Sequence, residues 1–396
     1  MKKNKEHPKM FSKKYIFMLL SCMLFSTAMI LFPHISLQAA QSGINIWFYS
    51  VLPALFPFFV FTKLMTYLGF HKIFGRLLEP LIRPLFNVPG EASFVFAMSL
   101  SSGYPVGVQM IADLRKSQSI SKTDAERMLS FCSTSGPLFM LGTVGTSMFN
   151  SSPLGFSIAI SHYLGSILNG FLFRFYKKNS PSNRIAHQND IKTIVLDCQK
   201  NFNHGREFMS KISEAIYDSF KALLLVGGFI TLFSILIALL ETLNFFHFIS
   251  LFISNPLTNS IFLSYVKGFF EITIGCNEVS QITHSGFVLS TLLCSSIISW
   301  SGLSIHAQAL TILSKTDLKK SIYLVSKITH TLCTIVCSLI ISNLFLKYMP
   351  YDIATFNMDF ITKNSTFIYN LLFSTKLMLC IFILFIVTVI IDMLKK

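Results

Sequence analysis

The sequence predicts an all-α polytopic membrane protein with about eight transmembrane helices, one or two re-entrant or broken helices and a two-fold internal repeat. Three observations carry that prediction. First, hydrophobic residues make up 52% of the 396 residues, with 41 Phe, and charged residues only 13%, about half the share in ordinary globular domains. Second, no Asp, Glu, Lys or Arg interrupts residues 15–62, 128–173, 222–240 or 279–314. A span needs roughly 20 apolar residues, so the first two runs each hold two helices. Third, 29 of the 33 Lys and Arg cluster between these runs, at 1–14, 63–83, 115–127, 174–221, 315–327 and 395–396. That pattern places those segments on the cytoplasmic side.

The net charge of +15 therefore reads as topology. It does not indicate nucleic acid, because the basic segments lie between spans and carry no RNP, zinc-finger or helix-turn-helix pattern. Eight Cys are present without a CxxC pair, so neither a disulfide framework nor a metal site is indicated.

Taken in order, six Lys precede the first helix, at about 15–37. Small residues near Ala39 and Ala40 would suit signal cleavage, but the apolar run is longer than a signal core, and an uncleaved helix is expected. Helix two covers about 44–68. Residues 71–90 contain Pro80, Pro84 and Pro89 and read as an interfacial elbow, with Arg76, Glu79 and Arg83 on one face. Three apolar segments follow at about 92–112, 128–149 and 154–173. Their basic flanks both belong inside, so one segment should enter and leave by the same face. The first carries Ser99-Leu-Ser-Ser-Gly-Tyr-Pro-Val-Gly107 and the second Ser133-Thr-Ser-Gly-Pro137. Broken backbone at membrane depth is tolerated where protein or a water-filled cavity covers it.

The polar stretch 177–213 reads as a solvated cytoplasmic connector. It divides the chain into an N-terminal segment with the first helix (1–43), a first repeat (44–176) and a second repeat with C-terminal helices (214–396). Helices are expected at about 220–243, 286–313, 322–346 and 366–391, with a shorter piece at 261–280. Ser102-Gly-Tyr-Pro-Val-Gly-Val-Gln109 aligns without gaps on Ser301-Gly-Leu-Ser-Ile-His-Ala-Gln308, and Leu77-Leu-Glu-Pro-Leu81 is similar to Phe269-Phe-Glu-Ile-Thr273. Matching breaks in two halves are a transporter signal. Inverted repeats should put equivalent loops on opposite faces, yet 115–127 and 315–327 are both basic.

Polar groups in lipid are costly unless they pair or line a cavity, so they mark the candidate site. The substrate-binding candidates are Ser101, Ser102, Gly103, Tyr104 and Gln109 at the first break, Ser133, Thr134, Ser135 and Gly136 at the second, and Ser301, Gly302, His306 and Gln308 at the repeat. Exposed N–H groups and positive half-helix ends suit an anion. The competing reading of Gly103 and Gly107 is close helix packing. Glu271 and Glu278, seven residues apart, are candidates for ion or proton coupling, against an ordinary ion pair of Glu271 with Lys267. His162 and His330 read as hydrogen-bonding to neighbouring helices in preference to a proton relay. Glu126 and Arg127 are expected at the interface. No GxSxG, HExxH, Walker A or GxGxxG pattern occurs, so no catalytic residue, cofactor or metal is expected.

At Phe86-Asn-Val-Pro-Gly90, Ser101-Ser-Gly-Tyr-Pro-Val-Gly107, Ala125-Glu-Arg-Met-Leu-Ser-Phe131 and Ser133-Thr-Ser-Gly-Pro-Leu-Phe139, the sequence resembles the bacterial sporulation integral membrane proteins of the YlbJ or SpoVV family. The resemblance runs from about residue 40 to the C-terminus. It departs at Ser135-Gly136-Pro137, where an Asn is expected before the Pro. It implies a repeat of the gate-domain type and a protein of the outer forespore membrane, termini cytoplasmic, that moves dipicolinic acid from mother cell to spore. Arg83 and Arg127 would then attract the anion near the cytoplasmic mouth. The partners implied are a small anionic solute and the bilayer, with a homo-oligomer or other forespore membrane transport proteins beside them. The alternatives are a nucleoside or other small-solute transporter and a non-transporting sporulation scaffold.

Overall fold

The structure, a computed structural model, describes residues 13–177, 205–251, 253, 255–282 and 286–348. The expected helix 366–391 and most of the connector 177–213 lie outside the described residues. Within them all regular secondary structure is helical, with no strand.

Helix α1 (Lys13–Leu31) and α2 (Pro33–Ile46) meet at Phe32 with a bend of 103°. Pro33 has no N–H to continue α1, and its fixed φ suits the first turn of a new helix. The expected first helix, 15–37, is thus two helices. The expected neutral turn before residue 44 is helical as well, because Gly43 lets α2 press onto a later helix: a Cβ there would lie 2.8 Å from the Thr231 Cα. A π-helical turn, Trp47–Val51, leads into α3 (Leu52–Tyr67).

The expected elbow is one continuous helix, α4 (Phe70–Phe86), despite Pro80 and Pro84. The two prolines are four residues apart on the exposed face, so the carbonyls they free, on Arg76 and Pro80, share one outer side and the inner ladder survives. The polar face is as expected: Arg76 and Arg83 pair with Glu79 at 3.4 and 2.8 Å. After Gly90 the chain doubles back as α5 (Glu91–Ser102), breaks, and resumes as α6 (Val106–Lys116).

Helix α7 (Lys122–Met128) starts at Ser121, whose Oγ accepts the Asp124 N–H at 3.1 Å. Residues 133–136 are non-helical and lead to a π-helix, Leu138–Met148, and to α8 (Ser152–Phe173). The second half has α9 (Gly205–Thr242), α10 (Phe245–Ser250), α11 (Pro256–Phe270), α12 (Ile272–Ser280), α13 (Phe287–Trp300), α14 (Gly302–Leu313) and α15 (Lys320–Tyr348).

Segments Ser152–Phe173, Met209–Thr242, Phe287–Leu313 and Lys320–Tyr348 are long and apolar enough to cross a membrane, and the bent pair at Phe32 adds a fifth when it is counted as one span. That is fewer than the eight expected among these and the undescribed residues. Segments 92–112, 128–149 and 261–280 are each divided by a backbone break, and 366–391 is not described. The 261–280 piece is a hairpin of α11 and α12, with Gly268 and Gly275 backbone to backbone.

Helices α8, α13 and α15 pack against one another along their lengths. One apolar core joins α4 to α7 with Ala309, Ile312 and Leu313 of α14. A second joins the π-helix, α8, α12 and α13. The two basic loops lie side by side: the Arg115 guanidinium donates twice to the Asp317 carboxylate, both at 3.0 Å, and the Lys319 N–H donates to Glu126 at 3.3 Å. The loops after the two equivalent breaks therefore share one end of the molecule, as their charge requires and as oppositely facing loops would not.

Candidate functional site

Four interrupted stretches of backbone form a row. Gly103 has φ +80° and ψ −164°, a region open in practice only to glycine. A Cβ on it would lie 2.4 Å from the Gly136 N, so the first break rests directly on the second. Gly107 meets the Cys132 carbonyl in the same way. Both glycines thus have the packing role, between two breaks and not between two intact helices. Next in the row, the Tyr104 hydroxyl donates to the Ile298 carbonyl at 3.2 Å, linking the first break to the last turn of α13. That helix ends at Ser301 and Gly302, both at positive φ, and Gly302 lies against Phe270 and Glu271, where α11 turns into α12.

Hydroxyl groups and ring nitrogens close the gaps. The Ser99 and Thr134 hydroxyls lie 2.9 Å apart, and the Thr134 N–H donates to Ser99 at 3.2 Å. The Ser135 N–H donates to His162 Nε2 at 3.0 Å. A neutral imidazole accepting there carries its proton on Nδ1, which lies 2.8 Å from Ser299 Oγ; that hydroxyl donates onward to Thr334 at 2.9 Å. His330 Nε2 donates to the His162 carbonyl at 3.1 Å. Both histidines therefore bond across helices. On α8, Ser157, Ser161, Ser166 and Asn169 are buried, as are Ser295, Ser296 and Ser299 on α13. The three central helices share a polar seam.

At the junction of the row and the seam stands Lys327 of α15, 1% exposed. Its ammonium donates to the Ser133 carbonyl and, at 3.2 Å, to the Tyr104 hydroxyl. It lies 4.4 Å from the centroid of the Tyr104 ring and 5.8 Å from that of Tyr323. Grouped by sequence with the basic loop 315–327, this lysine is instead interior. The signal that marks it is a polar stripe at helical spacing, Tyr323, Ser326, Lys327, His330, Thr334 and Ser338, all buried.

The remaining predicted residues are placed as follows. Ser101 and Ser102 donate to carbonyls one turn back, those of Ala97 and Met98, at 2.8 and 2.6 Å; Ser101 is exposed and Ser102 buried. Ser301 Oγ donates to the Ser299 carbonyl at 3.4 Å. His306 is 3.3 Å from the Tyr323 hydroxyl and stands edge-on to Trp300, and Gln308, two residues on, is buried as well. Gln109 lies apart from the junction. It donates to Asp113 at 2.9 Å in a cavity of about 210 Å³ that Thr62, Lys63, His71 and Asp218 also line. Lys63 bridges Asp113 and Asp218 there, at 3.5 and 3.3 Å.

The pairing of Glu271 differs from expectation, and Arg127 and Glu126 are buried more deeply than a surface position implies. Lys267 pairs with Glu278 at 2.6 Å and Glu241 at 2.9 Å, while Glu271 caps α12 by accepting from the Ile274 N–H at 2.9 Å. The backbone break at Glu271 turns its carboxylate away from a helical i, i+4 pairing with Lys267. Arg127 is held inside the protein and is not presented at its surface. It is 1% exposed, and its guanidinium donates to the carbonyls of Asn87, Tyr176 and Lys177 at 2.7 to 3.1 Å. Glu126 is buried as well, holding Tyr176 at 2.9 Å and Lys177 at 3.1 Å; bonding to Glu126 raises the Lys177 ammonium above its ordinary value.

Residues 48–169 match the Gate family, described as nucleoside recognition. Over 332 residues the chain is 34% identical to the sporulation integral membrane protein YlbJ of Bacillus subtilis (strain 168), covering 80% of this chain and 80% of that protein. The chain belongs to the YlbJ family of sporulation integral membrane proteins. No solved structure matches it. In this YlbJ-family chain the Gate region contains both contacting breaks and His162, whereas Ser299, Ser301 and Lys327 come from beyond it. Family membership and the apolar helices together make it an integral membrane protein.

Proposed function

We propose that this YlbJ-family protein is a transporter, not an enzyme, and that it carries dipicolinic acid from the mother cell across the outer forespore membrane. In this reading about eight crossings, arranged as a two-fold repeat with both termini in the cytoplasm, work by alternating access at the broken helices. The observation that carries it is the contact of the two breaks, Gly103 on Gly136, beside a buried polar seam. Interrupted backbone lined by hydroxyls is the usual construction of a small-solute site at membrane depth, and a rigid dicarboxylate needs hydrogen-bond donors more than a large apolar pocket. The side-by-side basic loops at one end favour entry of an anion from that face.

The test is uptake of labelled dipicolinic acid by proteoliposomes, with protein-free liposomes and the Gly103→Leu variant as controls. Saturable uptake that the variant loses is the expected result. No uptake by correctly inserted protein under any imposed ion gradient would refute a carrier. The Gate match, described as nucleoside recognition, favours a nucleoside as the second reading of the cargo. Nucleosides that compete with dipicolinate for uptake would support it.

A further inference from the structure

Lys327 is out of place as a structural residue. An ammonium removed from water is costly unless it is paired. Every polar neighbour that the structure gives it is neutral: one carbonyl and one phenol receive its hydrogens, and two phenol rings offer their faces. No carboxylate among the described residues pairs with it. The nearby histidines, His162, His306 and His330, cannot supply negative charge. A Met or Leu would fill the same volume in α15 without the penalty. The charge nevertheless sits where the two helix breaks touch, with one ammonium hydrogen beyond the two already bonded.

We infer that Lys327 is the anion-binding residue of the path, and that with Tyr104 and Tyr323 it forms a subsite for the carboxylate of a planar aromatic acid. This rests on the transport reading above and deepens it, by naming a residue outside the Gate region as what selects charge. Two features point to an aromatic acid in particular. The rings of Tyr104 and Tyr323 flank the ammonium and stabilise it by cation–π attraction when no anion is present. The same faces stack on a flat ring once a carboxylate takes over the charge. The Tyr104 hydroxyl reaches both Ile298 and Lys327, so an anion displacing either contact would be felt at the first break and at α13 together.

The test uses thermal melting of the purified full chain, alone and with dipicolinate, benzoate, succinate or the uncharged dimethyl ester of dipicolinic acid, in wild type, Lys327→Met and Lys327→Gln. Dipicolinate and benzoate are expected to raise the wild-type midpoint, and succinate and the ester to leave it unchanged. Lys327→Met, freed of a buried charge, is expected to melt at or above the wild-type midpoint, to show no ligand shift, and to lose uptake at least tenfold. A variant that melts lower yet keeps the dipicolinate shift would overturn the inference and make Lys327 structural. So would a wild type that no carboxylate stabilises, or one that succinate stabilises as well as benzoate does. If benzoate shifts wild type and not Lys327→Met while dipicolinate does neither, the subsite stands and the proposed cargo falls.

Discussion

Replacing Gly103 by Ala tests whether the two helix breaks touch as the structure has them. Two costs combine. At φ +80° and ψ −164° a residue with a Cβ is strained by about 1–3 kcal/mol. The new methyl would also lie 2.4 Å from the Gly136 N and 3.0 Å from its Cα. Those atoms are backbone and cannot swing aside as a side chain does, so overpacking adds about 1–3 kcal/mol. The total is about 2–6 kcal/mol. At an unfolding entropy of about 2.1 cal/mol/K per residue, a chain of 396 residues shifts by about 1.2 °C per kcal/mol, so the midpoint should fall by at least about 2 °C. The matched control is Gly228→Ala on α9, where an added Cβ meets nothing within 4 Å and alanine is the better helix former by about 1 kcal/mol. Melting of both proteins in detergent, followed by uptake in proteoliposomes, gives the comparison. Gly103→Ala should melt lower and transport poorly, while Gly228→Ala should equal or exceed wild type. If both melt within a degree of wild type, the break-on-break contact is wrong, and the site built on it with it.

Two further outcomes follow from the end of the molecule that holds the basic loops. Arg127→Lys keeps the charge but cannot reach the three carbonyls of Asn87, Tyr176 and Lys177. Leaving two buried acceptors unbonded should cost at least about 2 kcal/mol, read as a lower midpoint; an unchanged midpoint would show that water satisfies them. The Arg115 guanidinium holds the Asp317 carboxyl below its ordinary value. Because the folded value is depressed, the pair contributes stability above the unfolded value, about pH 4 for Asp, and loses it as pH falls through the folded value. The pair is partly exposed, so the effect should be within about 1 kcal/mol. The midpoint gap between wild type and Asp317→Asn should be present at pH 7 and close below pH 4, and a gap independent of pH would contradict the pairing.

The sequence made the breaks visible because Gly103, Pro105, Gly136 and Pro137 are local signals: glycine frees the backbone and proline restricts it whatever surrounds them. The same local rule misled at Pro80 and Pro84, where position on the exposed face decides whether a proline ends a helix, and face depends on packing. Lys327 was hidden for a different reason. Its charge resembles that of Lys319 and Lys320, seven or eight residues earlier, and a count of basic residues does not distinguish a loop from the second turn of a helix. Burial of Arg127 and the partner of Lys267 were likewise beyond reach, since both are settled by residues distant in sequence, Asn87 and Tyr176 for one and Glu241 for the other.

Besides the contact of Gly103 with Gly136, among the described residues three pairs of neighbouring helical segments meet at two glycines: Gly75 with Gly90, Gly145 with Gly155, and Gly268 with Gly275. No side chain stands between the two arms at these points, so there is no rotamer to unlock and no interlocked ridge to ride over. Each pair of arms should therefore move as one stiff paddle. Bending in this fold is then left to the stretches with no helical ladder to resist it, around Gly103, residues 133–136 and Ser301. Those stretches are also the lining of the candidate site, so a solute held there would grip directly the parts of the chain freest to bend.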